Sequence, residues 1–490
     1  MNNKAGKSSL THAIGWSFAD QLILQIIRIA ISAVLARLIL PSEFGLLAMA
    51  SSTLGIFVLF KNFGLGAAII QKKEVSKNHL DSLFWFNIFL SVVISIIILL
   101  SSPYIAAFYH EPKVKQIFYA LAMLFIIGSF STIPDSLIRK QLRFKEFFFR
   151  NLAVLIFGGI VAIIAAFFGL GVWALVIRNY INLIFAIYIN FKMIQWRPSF
   201  HFNWNDIIPY MKFSFPLFLD NVLNYFVRNS DNILVGKQFG KTTLGYYNRA
   251  YGLMTMPLNK ITFSVSRVLF PAFSRDQTNK EKIWSNYLKI IHLTAYVSFP
   301  LMLSLFLMAD EIIIGLYGRN WEPSVPMFKG LALIGAIQTI GSYIGTVFQS
   351  IGKTKLIFLL GLFLKPIMIF AILCGVYCGN IMTMIYAYSL ASFLVFMIES
   401  HFLAKAFNKN LSDIIKSFFP IILLLIVSFV PAIYTIYFLN HSVWSKILVV
   451  VLSNILFVFL SYKLRIEAWY FISSKISPIF KNVQEKIKRK

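Results

Sequence analysis

Long apolar segments separated by short polar connections make up most of the chain between residues 14 and 462. A helix needs about 20 apolar residues to cross the roughly 30 Å hydrocarbon core of a bilayer. Several connections hold only a few residues, and such short links force consecutive helices to run antiparallel. The pattern predicts fourteen membrane spans, over residues 14–40, 44–70, 82–107, 115–134, 150–168, 171–191, 209–236, 242–271, 284–309, 325–350, 355–378, 381–404, 416–438 and 444–462.

The composition supports this prediction. The chain has 490 residues, of which 58% are apolar and 13% are charged, and its mean hydropathy is +0.74. Soluble domains carry about 25% charged residues. No segment between the spans is both long and polar enough for a soluble domain, and no cleavage-site pattern ends the first apolar run. We therefore predict an all-α integral membrane protein that keeps its first span.

The net charge of +27 is explained by topology. Lys and Arg concentrate in alternate loops, such as 139–150 and 275–282, and in the tail from residue 463, whereas the opposite loops hold few. The positive-inside rule then places both termini in the cytoplasm. The basic loops would contact anionic membrane lipids. The charge is not read as a nucleic-acid footprint, and we expect no nucleic-acid partner.

The chain contains an internal duplication. A shift of 200 residues places Asp20 on Asp220, Gln21 on Asn221, Arg28 on Arg228, Arg37 on Lys237, Gly45 on Gly245 and Ala50 on Ala250. Each copy holds six spans, and an even number makes both copies enter the membrane from the same side. This predicts two pseudo-symmetric six-helix lobes related by an axis along the membrane normal. The predicted parts are an N-lobe (1–200), a C-lobe (201–408), two further spans (409–465) and a basic cytoplasmic tail (466–490).

A polar stripe interrupts the first span of each copy. In the run DNVLNYFVRNSDN, the residues Asp220, Asn224, Arg228 and Asp231 are spaced by 4, 4 and 3 positions and share one helix face. Lipid cannot satisfy such a face, so it must meet protein or water. The duplicated stripes favour a hydrated cavity between two bundles. The alternative is that they join helices to each other, with Arg228 and Asp231 neutralising one another as an i,i+3 pair.

Cations outnumber acids along the predicted cavity, which suits an anionic substrate. The cationic candidates for substrate binding are Arg28, Lys61, Arg178, Arg228, Arg249 and Lys260. The amide candidates are Asn179, Asn221, Asn224 and Asn248. Asp20, Asp220 and Asp231 are candidates for coupling transport to H+ or Na+, because an acid in a low-dielectric cavity can have its ionisation tuned.

Several segments resemble one protein family. The stretch VLARLILPSEFGLLAMASSTLGIFVLFKNFGLGAAIIQKKEVSKNHLDSLFWFNI, together with WALVIRNYIN, GYYNRAYGLMTMPLN, SRVLFPAFSR and IGKTK, resembles the polysaccharide-transporter branch of the multidrug/oligosaccharidyl-lipid/polysaccharide exporter superfamily. The similarity is greatest to Wzx-type flippases of the colanic-acid and teichuronic-acid type. It extends over about residues 10 to 465. The resemblance is specific for the family and leaves the sugar open.

The resemblance implies a V-shaped, MATE-like fold and an activity. Members of this branch move undecaprenyl-pyrophosphate-linked oligosaccharide units to the outer leaflet of the bacterial plasma (inner) membrane for exopolysaccharide, capsule or O-antigen export, alongside polysaccharide polymerase and chain-length machinery. The resemblance also implies that Tyr225 and Tyr247 are candidate partners for the glycan. We expect no enzyme activity, cofactor or bound metal beyond a coupling ion. The alternative on the same fold is a MATE-like ion-coupled multidrug antiporter, which needs an acidic cavity. A membrane polymerase or ligase would need a long outer loop, and the outer loops here are short.

Two smaller features carry no chemistry. QSIGKTK (349–355) ends like a P-loop, but the required first glycine is Val347 and the segment joins two spans, so we interpret it as a basic turn. The two cysteines, Cys374 and Cys378, lie one turn apart in an apolar segment. That spacing suits neither a structural disulfide nor a metal site, and we expect both thiols in the core.

Overall fold

The computed structural model describes residues 23–62, 65–72, 74–141, 143–438, 442–471 and 473. This part of the chain is helical and carries no strand. A helix over 23–38 (α1) is followed by α2 (Pro41–Asn62), α3 (Leu65–Gln71), α4 (Lys77–Tyr109), α5 (Pro112–Lys140), α6 (Phe144–Phe167), α7 (Val172–Met193) and α8 (Trp204–Arg275). Then come α9 (Lys280–Leu307), α10 (Ala309–Tyr317), a 3₁₀ turn (Arg319–Trp321), α11 (Ser324–Gly341), α12 (Ile344–Ser350), α13 (Thr354–Tyr377), α14 (Ile381–Ala406), α15 (Leu411–Phe438) and α16 (Val443–Lys463).

The all-α membrane prediction is confirmed. Among the described residues, 11 helical segments are long and apolar enough to cross a bilayer, with α11 and α12 forming one of them. The other three predicted spans fall on α1, which is described from residue 23, and on the two arms of α8. α8 is not among the 11 segments because it carries many polar residues. The total of fourteen remains a prediction.

Glycine breaks the longest helix. α8 runs for 72 residues, but Gly240 has a φ of 78° and a ψ of 179°, values outside the helical region. Only glycine adopts this backbone conformation without strain. The break divides α8 into a first arm (204–239) and a second arm (241–275), which correspond to predicted spans 7 and 8. The sequence pattern predicted both spans but not the glycine that joins them so tightly.

The contacts divide the chain into two compact units. The first contains the chain up to Asn248 together with Leu316–Asn320, and the second contains Arg249–Gly315 and Trp321–Lys490. This division differs from the lobe boundary predicted at residue 200, because the first arm of α8 packs on α2. The Tyr225 hydroxyl donates a hydrogen bond to the Ser52 carbonyl. Its ring fills the space left by the missing side chain of Gly55.

The segment between α7 and α8 is tied to the first turns of α4. Asp81 is fully buried and accepts hydrogen bonds from the Trp196 indole (3.0 Å) and the Ser199 hydroxyl. The Trp85 indole donates to the Ser199 carbonyl at 2.8 Å. Further along, the Asn203 backbone N–H donates to the hydroxyl of Ser82, which itself donates to Asp206. The connection between the two copies is therefore held in place along its whole length.

Each unit has its own apolar core. In the first unit, Leu24, Leu35 and Ala162 belong to a cluster that joins α1 to α6 and α7. In the second unit, a larger cluster joins α9 and α11 to α16 and includes Tyr287 and Phe429, both fully buried. Cys374 and Cys378 lie outside this core. Both thiols are free and exposed on the surface of α13, so the prediction that they are core residues was wrong. Their neighbours Phe370 and Tyr377 are exposed as well.

Candidate functional site

Arg228 and Asp231, the two charged side chains of the polar stripe that the structure describes, do not pair with each other. Arg228 and Asn221 are exposed, Asn224 is half-buried, and Asp231 is 3% exposed. Among the described residues, no ion pair forms between Arg228 and Asp231. The side chain of Asp220 and the whole of Asp20 lie outside the described residues. The i,i+3 ion pair considered for the stripe is therefore not formed.

Asp231 has a different set of partners. Its Oδ2 accepts a hydrogen bond from the Tyr247 hydroxyl at 2.8 Å, and its Oδ1 accepts one from the Asn232 backbone N–H at 2.7 Å. The Asn248 amide donates to the side-chain oxygen of Asn232 at 3.2 Å. Residues 247 and 248 lie on the second arm of α8, so these bonds hold the two arms together. Within the described part of the chain, this buried carboxylate has no cation as a partner.

Tyr247 and Tyr225 therefore differ from the sequence-based expectation that they contact a glycan. Tyr247 is fully buried and its hydroxyl is committed to Asp231. The Tyr225 hydroxyl is committed to the carbonyl of Ser52. Both hydroxyls serve helix packing in this conformation. The sequence could not reveal these contacts, because Ser52 lies on α2 and Asp231 lies on the other arm of α8 from Tyr247.

Four cations of the first unit lack a counter-ion. Among the described residues, no carboxylate lies within salt-bridge distance of Arg28, Lys61, Arg178 or Arg228. The positive charges of Arg28 and Arg178 are close enough to repel each other. The Nε atom of Arg178 is buried without a hydrogen-bond partner. An uncompensated charge at membrane depth is expensive, so these four positions are candidates for a functional site.

Other cations show what a structural charge looks like in this chain. Arg150 lies against both Asp135 and the amide oxygen of Asn190. Lys241 lies 2.9 Å from Glu111. In the second unit, Lys329 lies 2.6 Å from Asp310 and Lys446 lies 2.7 Å from Glu311. The fold neutralises these charges, whereas Arg28, Lys61, Arg178 and Arg228 have no carboxylate partner among the described residues.

Two glycines make room for polar groups of the first unit. A Cβ atom added to Gly128 on α5 would lie 2.4 Å from the Nζ atom of Lys61. A Cβ added to Gly158 on α6 would lie 1.8 Å from the side-chain oxygen of Asn182. That oxygen is buried and has no hydrogen-bond partner. Arg178 and Asn182 are one turn apart on α7, so the unsatisfied polar atoms share a helix face. Sequence reasoning missed both glycines, although glycine inside a membrane helix is a signal of close approach.

The remaining candidates are distributed over both units. Asn179 and Asn248, in the first unit, are exposed. Arg249 and Lys260 belong to the second unit. The guanidinium group of Arg249 lies 5.6 Å from the centre of the Trp321 ring, in a cation–π contact within that unit. Lys260 is half-buried and has an interaction partner of its own. The first unit alone thus brings together Arg28, Arg178 and the polar atoms beside them.

Comparison with known proteins gives a consistent picture. The profile of a family described as "Polysaccharide biosynthesis protein" matches residues 34–326. The chain is 28% identical over 415 residues to the teichuronic acid biosynthesis protein TuaB of Bacillus subtilis (strain 168), covering 82% of this chain and 84% of that protein. It is 25% identical over 364 residues to the lipopolysaccharide biosynthesis protein WzxC of Escherichia coli (strain K12), covering 74% of both.

A solved structure shares the fold. The lipid II flippase MurJ, in an inward closed conformation, superposes with a TM-score of 0.72 and covers 92% of this chain and 99% of its own. The sequence identity is 16%, so the similarity establishes the architecture and not the substrate. The family match confirms the predicted relationship to polysaccharide biosynthesis proteins, and the MurJ structure confirms the predicted fold.

Proposed function

Because the chain belongs to the polysaccharide biosynthesis protein family, we propose that it flips undecaprenyl-pyrophosphate-linked oligosaccharide units across the bilayer by alternating access. The units would move from the cytoplasmic to the outer leaflet of the bacterial plasma membrane, for the export of a surface polysaccharide. The names of its relatives support this proposal, since they place them in teichuronic acid and lipopolysaccharide biosynthesis. The flippase fold supports it as well. Both termini would be cytoplasmic, and a polysaccharide polymerase would take up the product.

The observation that carries the proposal is the set of uncompensated cations in the first unit. A pyrophosphate brings the negative charge that Arg28, Lys61, Arg178 and Arg228 lack among the described residues. Charge-assisted hydrogen bonds to phosphate are stronger than hydrogen bonds between neutral groups. The planar guanidinium group also matches the geometry of a phosphate. The exposed amides of Asn179 and Asn221 supply partners for sugar hydroxyls. These unsatisfied groups support a lipid-linked pyrophosphate as the substrate class.

The alternative, an ion-coupled multidrug antiporter, is less well supported. A cationic drug needs acidic partners, and repulsion from the unpaired cations of the first unit would oppose its binding. Asp231 is not available as such a partner, because its two oxygens are occupied by Tyr247 and Asn232. A lipid-linked anion would not be repelled by these cations and needs no acidic partner.

Asp231 is the described candidate for a coupling ion. It is a buried carboxylate without a described cation, and it connects the two arms of α8. Uptake of a proton there would weaken the hydrogen bond from the Tyr247 hydroxyl, because a neutral carboxyl is a poorer acceptor than a carboxylate. Protonation would thus loosen the contact between spans 7 and 8. We propose H+ rather than Na+ at this position, because the described partners of Asp231 are donors and not oxygen ligands.

The experiment is translocation by the purified protein in proteoliposomes. A fluorescent undecaprenyl-pyrophosphate oligosaccharide is placed in one leaflet, and its arrival in the other is followed with a membrane-impermeant quencher. We expect protein-dependent flipping that undecaprenol without the pyrophosphate does not compete for. A protein that exports cationic dyes and leaves the lipid-linked oligosaccharide in place would contradict the proposal and favour the antiporter.

A further inference from the structure

Two glycines related by the 200-residue repeat form a close helix crossing. A Cβ atom built on Gly45 of α2 would lie 1.6 Å from the backbone oxygen of Lys241, at the start of the second arm of α8. A Cβ atom built on Gly245 would lie 2.1 Å from the backbone oxygen of Pro41. No real side chain tolerates such distances from a backbone atom. The two helices therefore touch backbone to backbone, and only glycine permits this approach.

The crossing is reciprocal. Gly45 contacts Lys241, and Gly245 contacts Pro41. Gly45 and Gly245 are 200 positions apart in the sequence, and so are Pro41 and Lys241. Each contact is therefore repeated by the equivalent residues of the other copy. Such an arrangement is called isologous and is found at two-fold axes. The axis that relates the two copies thus passes between Gly45 and Gly245. This geometry supports the duplication independently of the sequence matches.

Neighbouring side chains hold the same end of the two helices. The Nζ atom of Lys241 lies 2.9 Å from Glu111, at the start of α5. One turn beyond Gly45, the side chain of Met49 lies 3.3 Å from the position of a Cβ on Gly236, and Met49 is fully buried. All of these residues belong to the first unit. The contact is therefore a sealed layer and not a single point.

The position of the crossing relative to the unpaired cations is informative. Gly45 and Lys61 lie at opposite ends of α2, 16 residues apart, which corresponds to about 24 Å along a helix axis. The predicted topology places the Pro41 end outside the cell. Lys61 thus lies toward one end of the path, and the glycine crossing closes the other. Alternating access requires that such a closure open once in every cycle.

We propose that the Gly45–Gly245 crossing is the outer gate of the transporter, which closes while the substrate is loaded and parts to release it. This inference rests on the proposed function. A seal made of backbone contacts suits a reversible gate, since it interlocks few side chains that would have to repack. Because the contact lies on the two-fold axis, one movement of the copies apart breaks both of its halves together.

The test uses thiol labelling in a background without native thiols (Cys374→Ser, Cys378→Ser). Met49→Cys places a thiol in the sealed layer, where a membrane-impermeant maleimide reaches it from outside only when the crossing opens. The open state of a closed gate is populated at about 10% or less. We therefore expect slow labelling at rest, and labelling at least about 10-fold faster in Gly45→Ala and Gly245→Ala, which would also lose transport.

Gly252→Ala is the matched control. Gly252 lies seven residues after Gly245 on the same arm, and a Cβ there has nothing within 4 Å. This variant should transport and label like its parent. Unchanged transport and continued protection of Met49→Cys in both gate variants would overturn the proposal.

A second measurement covers the case in which the gate variants fail to accumulate. In the parent with Met49→Cys, a supply of the lipid-linked oligosaccharide should speed labelling, because turnover opens the gate. Active transport without faster labelling would refute the gate and leave the proposed function intact. Absence of all transport by the parent would instead refute the proposed function, while glycine-dependent labelling would still report on the crossing.

Discussion

Arg178→Met removes one of the cations of the first unit that lack a described carboxylate partner, and keeps an unbranched apolar side chain in place of the arginine stem. The guanidinium group of Arg178 is repelled by Arg28, and its Nε atom is buried without a partner. Removing it should therefore leave the thermal stability unchanged or raise it. A hydrogen bond to a charged group contributes about 1.5–3 kcal/mol. Since about 1.4 kcal/mol corresponds to a factor of ten, transport should fall about 10- to 150-fold.

Arg150→Met is the matched control, because Arg150 is a paired cation of the same unit. Its partner Asp135 and the amide of Asn190 would lose their counterpart. Breaking a buried pair costs about 3–5 kcal/mol, and Asp135 is partly exposed, so about 3 kcal/mol is expected. This variant should therefore melt at a lower temperature and yield less folded protein, while the folded fraction still transports.

The assay measures the melting temperature in detergent and the flipping rate per folded molecule in proteoliposomes. We expect the two variants to separate, with transport lost in one and stability lost in the other. If Arg178→Met melted as early as Arg150→Met and transported normally per folded molecule, its charge would serve helix packing. The assignment of the unpaired cations to the substrate would then be wrong.

Three further outcomes follow from described contacts. Asp231→Asn should abolish the dependence of flipping on a pH gradient. Tyr247→Phe keeps the carboxyl group and should retain that dependence. Equal pH dependence in the two variants would exclude Asp231 as the coupling site. Burial alone would raise the pKa of the Asp206 carboxyl, but hydrogen bonds from Ser82 and His201 and the charges of His79 and His201 outweigh it and lower that pKa. The Asp206 carboxylate therefore contributes its full stabilisation above about pH 4, and this contribution disappears as the pH falls through the lowered pKa of the folded state. Asp206→Asn should thus lower the melting temperature at pH 7, and the melting temperatures of variant and parent should converge in acid. Gly240→Ala places a Cβ at a φ of 78° and should cost about 1 kcal/mol or more, measured as a lower melting temperature, whereas Gly252→Ala should cost nothing.

Local pattern explains which features the sequence predicted. Span lengths, short links and the spacing of Asn224, Arg228 and Asp231 depend on residues close in the chain, and the structure places them on helices as expected. The fold class and the family followed from the same kind of information. The roles of the cavity residues remain predictions, since no comparison tests them.

The features that the sequence did not predict depend on distant partners. Tyr247 is bound to Asp231 across the break at Gly240, and the first arm of α8 packs on Ser52 and Gly55. The space that Gly128 gives to Lys61 is of the same kind. Hydropathy and helical periodicity describe single helices, so they carry no information about which faces meet.

The fastening between α7 and α8 has a consequence for the continuity of the chain. On the α7 side, Trp196 and Ser199 bind Asp81, and on the α8 side, Asn203 and Asp206 bind Ser82. A cut between Phe200 and His201 would leave each new end anchored to the same turn of α4. Two co-expressed fragments, 1–200 and 201–490, should therefore assemble and co-purify as one particle. The covalent link between the copies would then be dispensable, as it would have been in an ancestor made of two separate polypeptides.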